Sequence, residues 1–335
     1  MTRTLVVSTS YPAFAGDPSG HFVASEVEAA LARGEQVTLV IPAAESPREA
    51  ALGLRLVELP ANVAFGAPGV AARLMEPGQR LKRAVGLMRF LLGARRSITR
   101  LSRAEGPFDH AALHWLVPSA VPVFPRGSAR RVELLVHGGD ARLLARLPRP
   151  LARGVIHLAA TRASLTELRT MSQAQLDGLA RLADLSRFTR RRVAPCALSL
   201  GGVPSRQEAR AALDVRGELL LVVGRLVASK RAHVALTAAS ALAALRPVRV
   251  VVIGDGPERA RLEAAFPHVE FTGALPRDRC LTWLAAADGL LSASRDEGAP
   301  SVVREARQLG VPVVSCAAGD LMRWAEIDPG IVVVP

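Results

Sequence analysis

An α/β protein made of two parallel-sheet domains facing a central cleft is the fold class this sequence predicts. Three observations predict it. Short apolar runs alternate with amphipathic segments along most of the chain. The runs are rich in Val, Ile and Leu without polar alternation, as strands covered on both faces read. The 335 residues, half of them hydrophobic, are enough for about two cores.

In the first half, "TLVVST" (4–9) reads as a strand, followed by a Gly/Pro loop, "SYPAFAGDPSGHF", and a helix over Phe22–Arg33. "QVTLVI" (36–41), "LRLVEL" (54–59), "HAALH" (110–114) and "RVELLVH" (131–137) supply further strands. A stretch rich in Gly, Pro and charge, Ser199–Glu218, separates a domain 1–202 from a domain 203–335. In the second half the strands are "ELLLVVG" (218–224), "VRVVVIG" (248–254), "HVEFTG" (268–273), "DGLLSAS" (288–294), "VPVVSC" (311–316) and "GIVVVP" (330–335). Helical patterns over Ala232–Leu245, Glu258–Phe266 and Arg279–Ala286 lie between them. The last predicted helix starts at Pro300, carries Val302, Ala306 and Leu309 on one face, and stops at Gly310 and Pro312. Two such sheets in series read as two Rossmann-like domains.

One helix differs from the rest. Gln79–Arg103 contains no acid. Its wheel groups Lys82, Arg89, Arg96, Arg100 and Arg103 on one face and Leu87, Leu91, Ala94 and Ile98 on the opposite one. The apolar face suits an ordinary core contact. The basic stripe suits an acceptor or the head groups of an anionic membrane. The charge of the whole chain has the same bias. Residues 1–202 carry 27 Lys+Arg against 15 Asp+Glu, and residues 203–335 carry 16 against 15. Only Lys82 and Lys230 are lysines. A GC-rich genome accounts for scattered arginines but less well for their lopsided placement, which implies an acidic partner. Aromatic residues make up 4% and no nucleic-acid motif is present, so no nucleic-acid partner is expected. No uncharged apolar run reaches the ~18 residues of a membrane span. The N-terminus reads as a strand without a signal peptide's apolar region, so a cytoplasmic location is expected, with peripheral contact at the inner membrane face. Cys196, Cys280 and Cys316 are widely spaced, and neither a disulfide framework nor a zinc cluster follows from them.

Candidate chemistry lies where strands end, because open parallel sheets bind ligands beyond their carboxyl edges. Arg225 and Lys230 follow the first strand of the second domain, spaced to hold a diphosphate. Gly254 and Gly256 follow the next strand, without completing a dinucleotide fingerprint. Gly20 ends the long N-terminal loop at a helix start, a position that offers N–H groups to an anion. His137 stands at a strand tip before two glycines. Glu297 sits just before a helix N-terminus, and Glu305 lies within that helix with no basic residue three or four positions away.

In order, "GDPSGHF", "HWLVPS", "HGGD", "GRLVASK", "GDGP", "FTGALPRD" and "EGAPSVVREARQLGVPVV" resemble the family 4 glycosyltransferases, retaining enzymes of the GT-B fold. The resemblance spans nearly the whole chain and is strongest over 218–316. It implies that Glu297 and Glu305 are the family's E-x7-E pair, with Glu297 near the reacting sugar and Glu305 on the nucleotide ribose. Arg225 and Lys230 would hold the diphosphate, and His137 would lie near the sugar. Gly20, Gly224 and the backbone of Gly298, Ala299, Pro300 and Ser301 would face phosphates and sugar. Gly254, Gly256, Gly273 and Leu275 would line the base pocket. His114, Lys82, Arg89, Arg96, Arg100 and Arg103 would serve acceptor or membrane. The implied reaction moves a sugar from a nucleoside-diphosphate sugar to a saccharide or lipid-linked acceptor in cell-envelope synthesis, with no cofactor and no metal. A non-catalytic sugar-nucleotide-binding scaffold and a GT-B sugar-nucleotide epimerase are the alternatives. The sequence departs from the family at Arg231, where glycine is common, and at Pro204, where an acid is common. Family members continue past the last strand with helices that pack back on the first domain; here the sequence stops at Pro335, so either it is truncated or that brace is absent.

Overall fold

A computed structural model describes residues 1–335 except Ala15, residues 45–47, Glu49, residues 61–79 and Asp296; for residues 80–84 it describes the backbone alone. The described residues divide into two compact units, Met1–Ala197 and Leu198–Pro335.

The first unit is a seven-stranded sheet: β1 (Arg3–Val7), β2 (Gln36–Pro42), β3 (Leu54–Leu59), β4 (Phe108–His114), β5 (Ala129–Val136), β6 (Leu165–Thr170) and β7 (Arg190–Val193). Every pairing is parallel and the order is β3-β2-β1-β4-β5-β6-β7. The helices, numbered among the described residues, are α1 (His21–Ala32), α2 (Arg80–Glu105), α3 (Gly138–Arg146), α4 (Arg149–Ala160) and α5 (Gln173–Leu182). Val7, Leu113, Leu134 and Leu168 form a buried row across the sheet, and Phe90, Ala94 and Ile98 of α2 are buried as well. The apolar face of α2 therefore points into the core, as the wheel predicts, with Phe90 at its centre and Leu87 and Leu91 half-buried. Gln79, the first residue of the predicted helix, lies outside the described residues.

The strands β6 and β7 and the helices α3 to α5 escape a reading based on apolar runs, and the reason is electrostatic. Within β6, Thr166, Glu167, Arg169 and Thr170 are all buried. Glu167 pairs with Arg131 at 2.6 Å and Arg169 with Glu26 at 2.8 Å, which makes a charged strand tolerable inside. β7 reads Arg-Arg-Arg-Val at the sheet's edge, where charge discourages further pairing.

The second unit has six strands: β8 (Glu218–Val223), β9 (Val248–Ile253), β10 (Glu270–Gly273), β11 (Gly289–Ser292), β12 (Val313–Cys316) and β13 (Ile331–Val334). They are parallel in the order β10-β9-β8-β11-β12-β13. Its helices are α6 (Arg206–Ala212), α7 (Ala232–Ala243), α8 (Arg259–Ala265), α9 (Arg277–Ala286), α10 (Ser301–Gln308) and α11 (Leu321–Ile327). All six strands lie within the apolar runs that predict them. The stretch read as a linker contains α6. Ser205 and Glu208 form a capping box there, and Ala209 is fully buried. Its charges are structural: Arg206 and Arg210 both bind Asp288.

In each sheet the strand order reverses once, between β1 and β4 and between β8 and β11. A crevice for ligands opens at the carboxyl edge of such a switch point.

Candidate active site

At the switch point of the second sheet, the loops after β8, β9 and β10 stack on one another. Gly224 N–H donates to Ile253 (2.9 Å), Leu226 N–H to Asp255 (2.8 Å) and Gly254 N–H to Gly273 (2.8 Å). A Cβ on Gly254 would lie 1.9 Å from the Gly224 carbonyl oxygen, and one on Gly256 2.4 Å from that of Leu226. These glycines thus have a reason independent of any ligand: only without side chains do the loops close together. Leu275 packs partly against the second core.

The loops after β8 and β11 are clasped across the switch. Arg295 N–H donates to Ser229 (3.0 Å), and Arg231 Nε to the Ala293 carbonyl (2.7 Å). Arg231 has φ 48°, the left-handed conformation that explains why glycine is common at this position. Here the arginine accepts that conformation, and its side chain ties the two loops. The result is an ion pair between Lys230 Nζ and Glu297 Oε1, the lysine 29% and the glutamate 14% exposed. Arg225 is exposed, and its side chain has no hydrogen bond or ion pair among the described residues. Beyond Glu297, Gly298 and Pro300 are buried and Ala299 and Ser301 half-buried, leading into the N-terminus of α10. Gly319 packs on this turn so closely that a Cβ would lie 2.5 Å from the Gly298 oxygen.

Glu305, in the second turn of α10, is buried. Arg277 Nη1 of α9 pairs with its Oε1. Arg277 also donates from Nη2 to the Ser199 carbonyl (2.9 Å). An arginine at the first residue of a helix opposes the macrodipole. That anomaly in "FTGALPRD" is the sequence signal that Arg277 has another task. Beside the pair, burial and then Glu305 push the Cys280 thiol up to about 12, so it is unreactive.

At the switch point of the first sheet the groups are uncharged. His137 is the N-cap of α3, and Phe22 and Trp115 pack on its ring with centroids 4.9 and 4.8 Å away. His114 is fully buried behind it and stacks on it, with His114 Nδ1 3.2 Å from His137 Nε2. Burial, with Arg169 adding, lowers His114 to about 3. Burial, then His114 and Arg169, holds His137 well below the usual imidazole range. Both rings are neutral at pH 7 and act through hydrogen bonds. Asp140 accepts from Leu116 N–H (2.7 Å) and Ala141 N–H (3.0 Å), and burial raises its carboxyl to about 7. Gly20, the N-cap of α1 at φ 69°, abuts the Ser10 backbone, where a Cβ would lie 2.6 Å from the carbonyl carbon. The fold also brings Cys196 to this edge. Its Sγ lies within 4.8 Å of ring nitrogens of His114 and His137, a grouping that sequence spacing alone does not reveal.

On α2, Arg89, Arg96, Arg100 and Arg103 are exposed, with no ion-pair partner among the described residues. A shallow groove is lined by Leu92, Arg95, Arg96, Thr99, Arg100 and Arg103. Val85, Met88 and Leu92 are exposed on the same helix. The side chain of Lys82 lies outside the described residues. Among the described residues, no helix is long and apolar enough to cross a membrane.

Parallel sheets in two units, each reversing its strand order once, define a class: α/β proteins of two Rossmann-like units. Residues 217–335, about a third of the chain, match the family Glycosyl transferases group 1. Over 97 residues the chain is 39% identical to a GDP-mannose-dependent alpha-mannosyltransferase of Mycobacterium tuberculosis, a match covering 29% of this chain and 25% of that protein. The chain spans between 22 and 33% of the length of the curated relatives it matches. Among solved structures, sucrose-phosphate synthase of Thermosynechococcus elongatus superposes with TM-score 0.69 at 17% identity, over 100% of this chain and 86% of that one. Anabaena HepE, solved in complex with UDP, gives 0.63 at 17% identity over 100% and 85%. These likenesses establish the GT-B fold.

Proposed function

We propose that the chain is a retaining glycosyltransferase that moves a sugar from a nucleoside-diphosphate sugar to a saccharide or lipid-linked acceptor. One observation carries the reading: Lys230 and Glu297 meet at the carboxyl edge where the strand order reverses, with Glu305 in the second turn of the helix that follows. The group 1 family match over 217–335 supports it, as do the names of relatives that use GDP-mannose or were solved with UDP.

The Lys230–Glu297 pair is neutral as a unit. A diphosphate carries more negative charge than one carboxylate, so it displaces Glu297 from Lys230, and Arg225 adds a second cation. Glu297 is then released to accept hydrogen bonds from sugar hydroxyls. Glu305 keeps Arg277, and a carboxylate with about four acceptor sites has room for ribose hydroxyls as well. In the chemical step the bond from the anomeric carbon to the phosphate oxygen breaks, and its electron pair stays with the diphosphate. Lys230, Arg225 and the N-terminus of α10 stabilise that charge. The acceptor oxygen bonds to the anomeric carbon from the same face, and its proton passes to the departing phosphate. This step routes no charge through a metal. Neutral His137 offers a hydrogen bond suited to a sugar hydroxyl. The exposed arginines of α2, together with Val85, Met88 and Leu92, suit an anionic lipid surface, so we assign the enzyme a peripheral place on a membrane and a role in envelope synthesis.

A thermal-shift screen of GDP- and UDP-sugars identifies the donor, since a ligand of the native state raises the melting temperature. Turnover of that donor with product of unchanged anomeric configuration by NMR is expected. Inverted product overturns the retaining assignment, and a screen in which no nucleotide sugar stabilises the protein overturns the function.

A further inference from the structure

Four neighbouring strands of the first sheet each end in a metal-ligating side chain. His114 is the last residue of β4, His137 the first after β5, Met171 the first after β6, and Cys196 the third after β7. The cysteine, methionine and histidines are at most 9% exposed. Nothing in the proposed transfer reaction uses Cys196 or Met171.

The distances suit a shared ion. Two imidazoles on one tetrahedral zinc ion, each bonded at about 2.0–2.1 Å, hold their nitrogens about 3.3 Å apart; here Nδ1 of His114 and Nε2 of His137 are 3.2 Å apart. Nitrogens and Sγ lie within 4.8 Å of one another, and the sulfur of Met171 is 3.8 Å from that of Cys196. A closure of about 1 Å brings thiolate–nitrogen separations into the range set by zinc–sulfur and zinc–nitrogen bonds. The charges are compatible as well. Arg169 lies close enough to Cys196 to interact electrostatically, and is itself paired with Glu26 at 2.8 Å and Glu133 at 3.8 Å. Thiolate and imidazole together select borderline or soft ions over magnesium or calcium.

We propose that His114, His137 and Cys196 bind one transition-metal ion of the zinc class, with Met171 as a further donor beside the cysteine. If the chain transfers sugar as proposed above, the ion occupies His137 and slows transfer. The binding site itself does not depend on that reading.

The test is a titration of the full, chelator-treated chain with Co²⁺, a spectroscopic substitute for Zn²⁺, in the absence of nucleotide sugar. One equivalent per chain, a thiolate-to-cobalt charge-transfer band and displacement by Zn²⁺ are expected. Cys196→Ser should lose the band and weaken Zn²⁺ binding at least about 100-fold, the upper end of what losing a supporting group costs. Cys280→Ser should change neither. Absence of stoichiometric binding, or an undiminished band in Cys196→Ser, overturns the proposal. X-ray absorption of the wild-type zinc complex decides independently of how the variant folds: sulfur and imidazole scattering is expected, and a shell of oxygen and nitrogen alone overturns the site.

Discussion

The carboxyl edge of β8 and β11 keeps its reactive groups charged by pairing them, whereas the carboxyl edge of β4 and β5 keeps them uncharged by burying them. At the first, Lys230 pairs with Glu297 and Arg277 with Glu305. At the second, His114 and His137 lie among aromatic rings, and burial favours the neutral forms of both and of Asp140. The difference teaches which edge can receive a charged ligand. A paired charge is exchanged for a better partner at small net cost, while a buried neutral group is ionised only at the cost of desolvation. On the proposed function, the anionic diphosphate therefore suits the edge of β8 and β11.

The sharpest way to break this contrast is to remove the exchangeable cation. Lys230→Ala should lower kcat by roughly 10²–10³-fold, the range for losing one preorganised charge-stabilising group, at an unchanged melting temperature. A loss of activity that only tracks unfolding would reduce Lys230 to a structural partner of Glu297. Next in size, Glu305→Ala should raise donor KM about 10–100-fold, since a hydrogen bond to a charged group contributes about 1.5–3 kcal/mol. Because this change also leaves Arg277 without its carboxylate, Glu305→Gln serves as the folded control, with donor affinity read by calorimetry. Unaltered affinity in both would remove the ribose from Glu305.

On α2, the paired variant Arg96→Ala/Arg100→Ala should weaken binding to anionic vesicles roughly 30-fold at low salt, at about 1 kcal/mol per arginine. Co-sedimentation measures it; equal binding to neutral vesicles would contradict an electrostatic contact.

The smallest effect sharpens the neutral edge. Asp140 has a folded pKa of about 7, above its unfolded value, so the folded state holds more protons between about pH 4 and 7. This group's contribution to stability is therefore present at low pH and lost as pH rises to about 7. The histidines have the opposite sign: lowered in the fold, they add stability above about pH 6.5 and lose it as pH falls. Asp140→Asn sacrifices one acceptor, a constant loss, but removes the titration. Its melting temperature relative to wild type should rise from pH 4 to 7 and then level. A flat difference would contradict a carboxyl kept neutral by burial.

How much of this was legible depended on which force builds each part. The six strands of the second sheet are apolar runs, and hydrophobic burial writes itself plainly in a sequence. β6 and β7 are held by ion pairs such as Arg169–Glu26 and by edge charge, and no apolar pattern marks them. The same holds at the site. Lys230, Glu297 and Glu305 stood out as charges in Gly/Pro turns or without helical neighbours. Arg277 and Cys196 did not, because each takes its role from residues far away in the chain: Glu305 for one, and the paired histidines for the other. Gly254 and Gly256, read as pocket glycines, also answer to loop stacking, a contact between segments some 30 residues apart that no local motif encodes.

The central claim is that a nucleoside diphosphate takes Lys230 from Glu297. A crystal structure of the chain with GDP or UDP tests it directly. The account predicts phosphate oxygens on Lys230, Glu297 turned away from the lysine, and ribose hydroxyls on Glu305. A nucleotide bound elsewhere, or bound with the Lys230–Glu297 pair intact, would contradict it.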